Sequence, residues 1–86
     1  MTARRTICVT GAGSGIGAGL AERAAADGWS VLVTDRDATR AAAVAAGIAD
    51  RGGVAQALAV DVTDDASVAA LAVHPIDVLV NNAGLQ

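Results

Sequence analysis

Short apolar runs alternate with amphipathic stretches along the whole chain. Four runs rich in valine, leucine, isoleucine and alanine predict buried strands at residues 7–9, 30–34, 54–60 and 76–80. Three stretches with apolar residues three or four apart predict helices at about residues 15–27, at 38–51, and in a short segment after residue 63. The predicted order is β-α-β-α-β-α-β, which is typical of an α/β fold with a parallel sheet and helices on both faces.

Residues that start or stop helices stand at the predicted boundaries. Gly28 is placed to end the first helix, and the Gly52-Gly53 pair to end the second. Asp37 is the expected cap of the second helix and Thr63 that of the third. Pro75 ends the third helix, because proline disfavours the helical conformation at the residue before it.

The spacing of apolar residues also predicts which side of each helix faces the sheet. For the three helices in turn, the predicted inner faces are Ile16, Leu20 and Ala24; Ala41, Val44, Ala45 and Ile48; and Val68, Leu71 and Ala72.

A glycine-rich turn joins the first strand to the first helix, with the sequence Thr-Gly-Ala-Gly-Ser-Gly-Ile-Gly at residues 10–17. Such a turn presents unpaired backbone N–H groups and the positive end of a helix dipole, which favour a phosphate. Glycine permits positive φ and lets a pyrophosphate approach without meeting a Cβ. The alternative is a glycine-rich turn that binds no ligand.

The spacing of these glycines selects one motif. The pattern G-x-G-x-x-G fails from Gly11, because Ile16 takes its last position. The looser G-x-G-x-x-A form fits from Gly13 but begins too late, since the strand ends near Thr10. The better description is T-G-x-x-x-G-x-G.

Polar residues follow the other predicted strands. Asp35, Asp61 and Asn81 stand at the carboxyl ends of strands two, three and four. With the strand order 3-2-1-4 of a doubly wound sheet, ligands bind beyond these ends, at the switch point between strands 1 and 4. The three side chains and the glycine turn are therefore expected to converge on one crevice.

Two motifs together resemble the short-chain dehydrogenase/reductase family: T-G-x-x-x-G-x-G at residues 10–17, and Asn-Asn-Ala-Gly at residues 81–84 after an apolar strand. The resemblance covers residues 1–86 as the N-terminal part of a dinucleotide-binding, Rossmann-like domain. It implies that the cofactor turn comprises Gly11, Ser14, Gly15, Ile16 and Gly17. It also implies that Asp61 and Val62 flank the adenine, and that the segment from Asn81 to Gly84 runs beside the cofactor ribose. The alternative for Asp61 is that it only helps to cap the third helix.

The expected cofactor is NAD rather than NADP. Asp35 stands 18 residues after Gly17, where a carboxylate can accept hydrogen bonds from the adenosine ribose and repel a 2′-phosphate. Arg36 complicates this interpretation, since an arginine nearby can accommodate that phosphate. It could instead lie over the adenine or face water.

The catalytic groups of the family, a Ser and a Tyr-x-x-x-Lys pair, belong to a later segment, and this chain has no tyrosine and no lysine. No catalytic residue is therefore assigned. The resemblance implies the NAD-binding portion of an oxidoreductase that transfers hydride between a nicotinamide and a carbonyl/alcohol substrate. The alternative is a non-catalytic dinucleotide-binding or interaction module.

Composition narrows the remaining possibilities. The net charge of −3 and six scattered arginines argue against a nucleic-acid partner. No run approaches the ~20 apolar residues that span a bilayer, no metal site is visible, and the single Cys8 in a core strand is typical of a reducing compartment, the cytoplasm. The thin, alanine-rich core of a short chain and the apolar fourth strand, an edge in 86 residues, predict self-association or a missing C-terminal half.

Overall fold

Parallel strands and helices alternate along residues 4–82, which are the residues that the computed structural model describes. The strands of this part of the chain are β1 (Thr6–Val9), β2 (Ser30–Asp35), β3 (Val54–Ala59) and β4 (Val78–Val80). The helices are α1 (Gly15–Ala26), α2 (Ala38–Asp50) and α3 (Asp65–Leu71). The sheet order is β3-β2-β1-β4 with every pairing parallel, which confirms the predicted doubly wound, Rossmann-like arrangement.

The sheet buries different residues on its two faces because side chains alternate along each strand. On one face, Val9, Val31 and Val33 pack with alanines of α1 and α2 and with Ile48. On the other face, Cys8 and Leu32 pack with Val60 and with Leu71 of α3. Burial raises the pKa of the Cys8 thiol, so this side chain stays neutral in the core.

The predicted inner face of α1 is wrong for Ile16 and Leu20 and confirmed for Ala24. Ile16 is 78% exposed and Leu20 is 43% exposed, whereas the buried residues of the helix are Gly17, Ala21, Ala24 and Ala25. The buried stripe is made of small residues, which let α1 lie close to the sheet. Bulk is therefore a poor guide to the inner side of this helix.

The predictions for the other two helices had different outcomes. In α2, Ala41, Ala45 and Ile48 are buried and Val44 packs partly buried against them, as predicted. In α3, Leu71 is buried, but Val68 and Ala72 are exposed. The helix has only seven residues and presents only this one buried side chain to the sheet.

The cap of α3 also differs from the prediction. Asp64, not Thr63, is the N-cap, and its carboxylate accepts a hydrogen bond from the N–H of Ala66 at 3.1 Å. Thr63 instead donates to Asp61 through both its backbone N–H and its hydroxyl. Thr63 and Asp64 both have side chains that can cap a helix, so the sequence did not determine the start of α3 to within one residue.

We expect the chain to associate with itself along β4. Within residues 4–82, β4 pairs only with β1, and Leu79 is 57% exposed. An apolar edge strand with free backbone groups is a template for pairing. Asp77, the one charge beside this edge among the residues described, accepts the N–H of Thr6 at 2.7 Å and so lies toward β1.

Analytical ultracentrifugation of the chain over a concentration series tests this expectation. Dimers or larger species should form as concentration rises, and Leu79→Lys, which places a charge on the edge, should shift the population toward monomer. A monomer at all concentrations with a cooperative thermal melt would contradict it.

Candidate cofactor-binding site

The glycine turn is held between two strand ends by backbone hydrogen bonds. The N–H of Thr10 donates to the carbonyl of Val80 at 3.0 Å, and the N–H of Ala12 donates to the carbonyl of Thr34 at 2.8 Å. The Thr34 hydroxyl donates to the carbonyl of Val9 at 2.9 Å. The turn therefore leaves the sheet at the carboxyl ends of β1, β2 and β4.

Positive φ angles at Gly11 (62°) and Gly15 (59°) turn the chain from β1 into α1. This conformation is costly for residues with a Cβ, which explains two glycines of the motif. The third, Gly17, is required by packing instead. A Cβ at Gly17 would overlap the Gly11 carbonyl oxygen and lie 2.6 Å from Nδ2 of Asn82.

The N-terminus of α1 has no side-chain cap. Ser14 occupies the N-cap position but makes no hydrogen bond to the N–H groups of the helix. By contrast, Asp37 accepts from two backbone N–H groups at the start of α2, and Asp64 caps α3. Of the three described helices, the one that begins in the glycine turn is thus the one whose first N–H groups lack a side-chain acceptor.

A cavity of about 330 Å³ opens beside this turn at the carboxyl ends of β1, β2 and β3. It is lined by six of the predicted site residues: Gly11, Ser14, Asp35, Arg36, Asp61 and Val62. Arg40, Val60 and Thr63 complete the lining. The cavity lies within the size range of small-molecule sites.

The remaining predicted site residues lie outside this lining. Gly15, Ile16 and Gly17 form the first turn of α1, with Ile16 exposed. Asn81 follows β4 and accepts a hydrogen bond from the Thr10 hydroxyl at 3.0 Å. Gly84 lies outside the described residues.

The Asp35 carboxylate joins three segments around the cavity. Its Oδ2 accepts the N–H of Gly13 at 3.0 Å, and its Oδ1 accepts the N–H of Asp37 at 2.9 Å. A carboxylate has about four acceptor positions, so unused ones remain for a ligand.

Asp61 is kept ionised by its neighbours. Hydrogen bonds from the hydroxyl and the backbone N–H of Thr63, together with the charge of Arg36, hold the pKa of Asp61 below its usual value. Its backbone carbonyl accepts the N–H of Asp64, and its N–H donates to the Ser67 hydroxyl at 2.9 Å. Asp61 thus orders the turn that enters α3 and also faces the cavity.

Three further residues shape the site although none of them was individually predicted as a site residue. Asn82 is 3% exposed, and its Nδ2 donates to the Gly11 carbonyl at 3.2 Å, tying the turn to the end of β4. Arg40 lines the cavity from the first turn of α2 and pairs with Asp37 at 3.5 Å. Gly13 donates to Asp35. Arg40 could have been predicted as a lining residue, because it stands three residues after Asp37, the helix cap that follows the end of β2.

Residues 4–82 hold neither a metal-binding cluster nor a helix suited to a membrane. No group of three or more histidine, cysteine or carboxylate side chains in this range could hold a metal ion. Nor does any helix of this part have the length and apolarity needed to cross a membrane.

Comparison with known proteins places this geometry in a family. The profile of the short chain dehydrogenase family matches residues 5–86. Serine 3-dehydrogenase from Agrobacterium fabrum is 46% identical over 86 residues, which cover 93% of this chain and 33% of that protein. The chain thus spans about a third of the length of this curated relative.

Solved structures show the same likeness. A metagenomic short-chain oxidoreductase in complex with NADP superposes with a TM-score of 0.83 at 39% identity, over 91% of this chain and 38% of that one. A 7α-hydroxysteroid dehydrogenase complexed with NADH and 7-oxo glycochenodeoxycholic acid gives 0.83 at 36% identity, over 87% and 32%. The chain therefore belongs to the short-chain dehydrogenase family, whose members bind NAD(P) cofactors.

Proposed function

We propose that residues 1–86 are the N-terminal part of a dinucleotide-binding domain and that they bind NAD. The observation that carries this proposal is the uncapped N-terminus of α1, which begins in the glycine turn beside the cavity. Free N–H groups at the positive end of a helix dipole suit a pyrophosphate. The fit is supported by the glycines, since the turn presents no Cβ at Gly11, Gly15 or Gly17.

Each end of the dinucleotide has candidate partners among this chain's residues. Gly11, Ser14, Gly15, Ile16 and Gly17 would hold the pyrophosphate. Asp35 would accept hydrogen bonds from the adenosine ribose through its unused lone pairs, and Asp61 and Val62 would border the adenine. Asn81 and Gly84 belong to the segment that would run beside the cofactor ribose. Bound NAD would supply the hydride-accepting nicotinamide.

Arg36 lines the cavity beside Asp35 and Asp61. Its charge adds to the hydrogen bonds from Thr63 that lower the pKa of Asp61. We infer that it borders the adenosine end of the cavity and stabilises the ionised Asp61.

The reaction proposed for the whole protein is hydride transfer between a nicotinamide and a carbonyl/alcohol substrate. The 86 residues contain no tyrosine or lysine, so they lack the proton-transfer groups that act on the reacting oxygen in the family. An alternative function, a non-catalytic dinucleotide-binding or interaction module, is favoured by this same composition. The coding sequence after Gln86 distinguishes the two, because an in-frame Ser and Tyr-x-x-x-Lys would support the oxidoreductase.

The expected behaviour of the 86-residue chain is binding without turnover. Titration with NADH should quench Trp29 fluorescence or enhance that of the nicotinamide, while no alcohol is oxidised above background in the presence of NAD. Turnover of an alcohol by the chain would contradict the assignment of catalysis to other residues. Failure to bind NADH by a folded chain would contradict the proposed function itself.

For the cellular compartment we propose the cytoplasm. The sole cysteine, Cys8, is buried and unpaired in β1, as expected for a protein in a reducing environment.

A further inference from the structure

One carboxylate fixes the position of the glycine turn. Asp35 Oδ2 accepts the N–H of Gly13 at 3.0 Å, while Oδ1 accepts the N–H of Asp37 at 2.9 Å. The side chain thus bridges the middle of the turn and the residue that caps α2. Hydrogen bonds with an ionised acceptor are stronger than those between neutral groups.

Gly13 is shaped for this contact. A Cβ on Gly13 would lie 2.8 Å from Asp35 Oδ2 and 2.7 Å from the Cβ of Arg40. Its φ is not positive, so close approach rather than backbone conformation requires glycine here. Gly13 occupies an unspecified position of the motif T-G-x-x-x-G-x-G, and the motif therefore gives it no function.

We propose that Gly13 and Asp35 form a latch that holds the glycine turn in its phosphate-receiving shape before any ligand binds. Asp35 is then a positioning residue for the phosphate site, in addition to its proposed contact with the ribose. The latch itself stands on the ligand-free geometry, and only its consequence for affinity rests on the proposed function. A turn that is already ordered loses less conformational freedom on binding.

The substitutions Asp35→Asn and Asp35→Ala distinguish the effect of the hydrogen bond to Gly13 from the effect of the negative charge. Both remove the negative charge, but asparagine keeps one carbonyl oxygen. When that oxygen accepts the N–H of Gly13, the amide NH2 faces the N–H of Asp37, so asparagine keeps one of the two hydrogen bonds and alanine keeps neither. A purely electrostatic or ribose-binding function predicts that the turn is equally ordered in both variants. The latch predicts that asparagine rescues part of the order that alanine loses.

Amide hydrogen exchange of the ligand-free chain, followed by NMR, measures the latch directly. In Asp35→Ala the Gly13 N–H should exchange roughly tenfold faster or more, the effect expected for loss of a hydrogen bond to a charged group. Asp35→Asn should give a rate between those of the original chain and Asp35→Ala, because its single neutral oxygen accepts more weakly than a carboxylate. Asp50→Ala, which removes an exposed carboxylate at the far end of α2, should leave it unchanged. Equal rates for the original chain and Asp35→Ala would overturn the proposal.

A second measurement does not depend on the variants folding. The latch predicts a scalar coupling across the hydrogen bond between the Gly13 amide nitrogen and the Asp35 carboxyl carbon in the unaltered chain. Absence of this coupling in well-resolved spectra would also overturn the proposal.

Inorganic pyrophosphate, which has no ribose, tests the consequence for binding. Its dissociation constant should be several-fold higher for Asp35→Ala than for Asp35→Asn, since the two share the same charge and differ in the latch. Equal constants would show that the latch does not prepare the phosphate site. If the latch signals are present but neither pyrophosphate nor NADH binds, the proposed function fails and the latch stands. If NADH binds but those signals are absent, the latch fails and the proposed function stands.

Discussion

Gly17→Ala is expected to weaken NADH binding by roughly tenfold or more and to destabilise the chain. The added Cβ would overlap the carbonyl oxygen of Gly11 and lie 2.6 Å from Nδ2 of Asn82. The first obstacle is backbone in the turn itself, so it cannot move away as a flexible side chain would. Relief requires α1 to shift from the turn, which displaces the N–H groups proposed to bind pyrophosphate.

The cost of such overpacking is about 1–3 kcal/mol in a well-packed core. In a domain of this size each kcal/mol lowers Tm by about 4–8 °C. Thermal melting and NADH titration of the same preparation therefore measure both effects. The hydrogen bond from Asn82 to Gly11 should be lost as well, because the new methyl group lies between α1 and both partners.

Gly19→Ala is the matched control, two residues further along the same helix. A Cβ at Gly19 meets no atom within 4 Å beyond its neighbours and the backbone of its own helix, so the substitution adds only helix propensity. It should stabilise the chain by up to about 1 kcal/mol and leave NADH binding unchanged. Gly47→Ala in α2, where a Cβ is equally free, should behave in the same way. Unchanged binding and stability in Gly17→Ala would show that close packing between α1 and the turn is not needed.

The sheet order and the meeting of polar residues at one edge could be predicted from the sequence. Both depend on strong, repeated signals: alternation of strands with helices, and strands that end in a polar residue. Asp35 and Asp61 therefore lie by the same cavity, as expected from parallel strands whose carboxyl ends share an edge. The order β3-β2-β1-β4 could be predicted without knowledge of how the side chains pack.

Packing between small residues could not be predicted in the same way. The pattern for α1 weighted Ile16 and Leu20 because large apolar side chains usually mark the core. In the structure, small residues such as Gly17 and Ala21 face the sheet, and the larger ones are exposed. In a helix this rich in alanine and glycine, two different faces have apolar or small residues at helical spacing. The spacing alone does not show which face packs against the sheet.

Contacts between residues far apart in the chain could not be predicted from the sequence either. Asn82 reaches Gly11 across 71 positions, and Gly13 reaches Asp35 across 22. Each contact depends on how closely two loops approach once the sheet has formed. The motif marked the glycines of the turn, whereas the reason for Gly13 became visible only beside the carboxylate it contacts.

The chain is expected to bind NADH at least about tenfold more tightly than NADPH, a difference of about 1.4 kcal/mol. The adenosine end of the cavity presents Asp35 directly, and its two arginines each have a carboxylate nearby. Arg40 pairs with Asp37 at 3.5 Å, and Arg36 acts on Asp61. A 2′-phosphate would therefore meet the Asp35 carboxylate, whose negative charge repels it.

Parallel titrations of NADH and NADPH, at one fixed ionic strength, measure this preference. Asp35→Asn should narrow the gap, because it removes the repelling charge while keeping an oxygen for the N–H of Gly13. Arg36→Ala should weaken NADPH more than NADH, since a guanidinium is the one kind of group here that favours the extra phosphate. Equal or tighter binding of NADPH by the unaltered chain would contradict the expectation. If that NADPH binding were then lost in Arg36→Ala, the preference for NADPH would be assigned to Arg36. Were Arg36→Ala without effect, Arg40→Ala would test the other cation that lines the cavity.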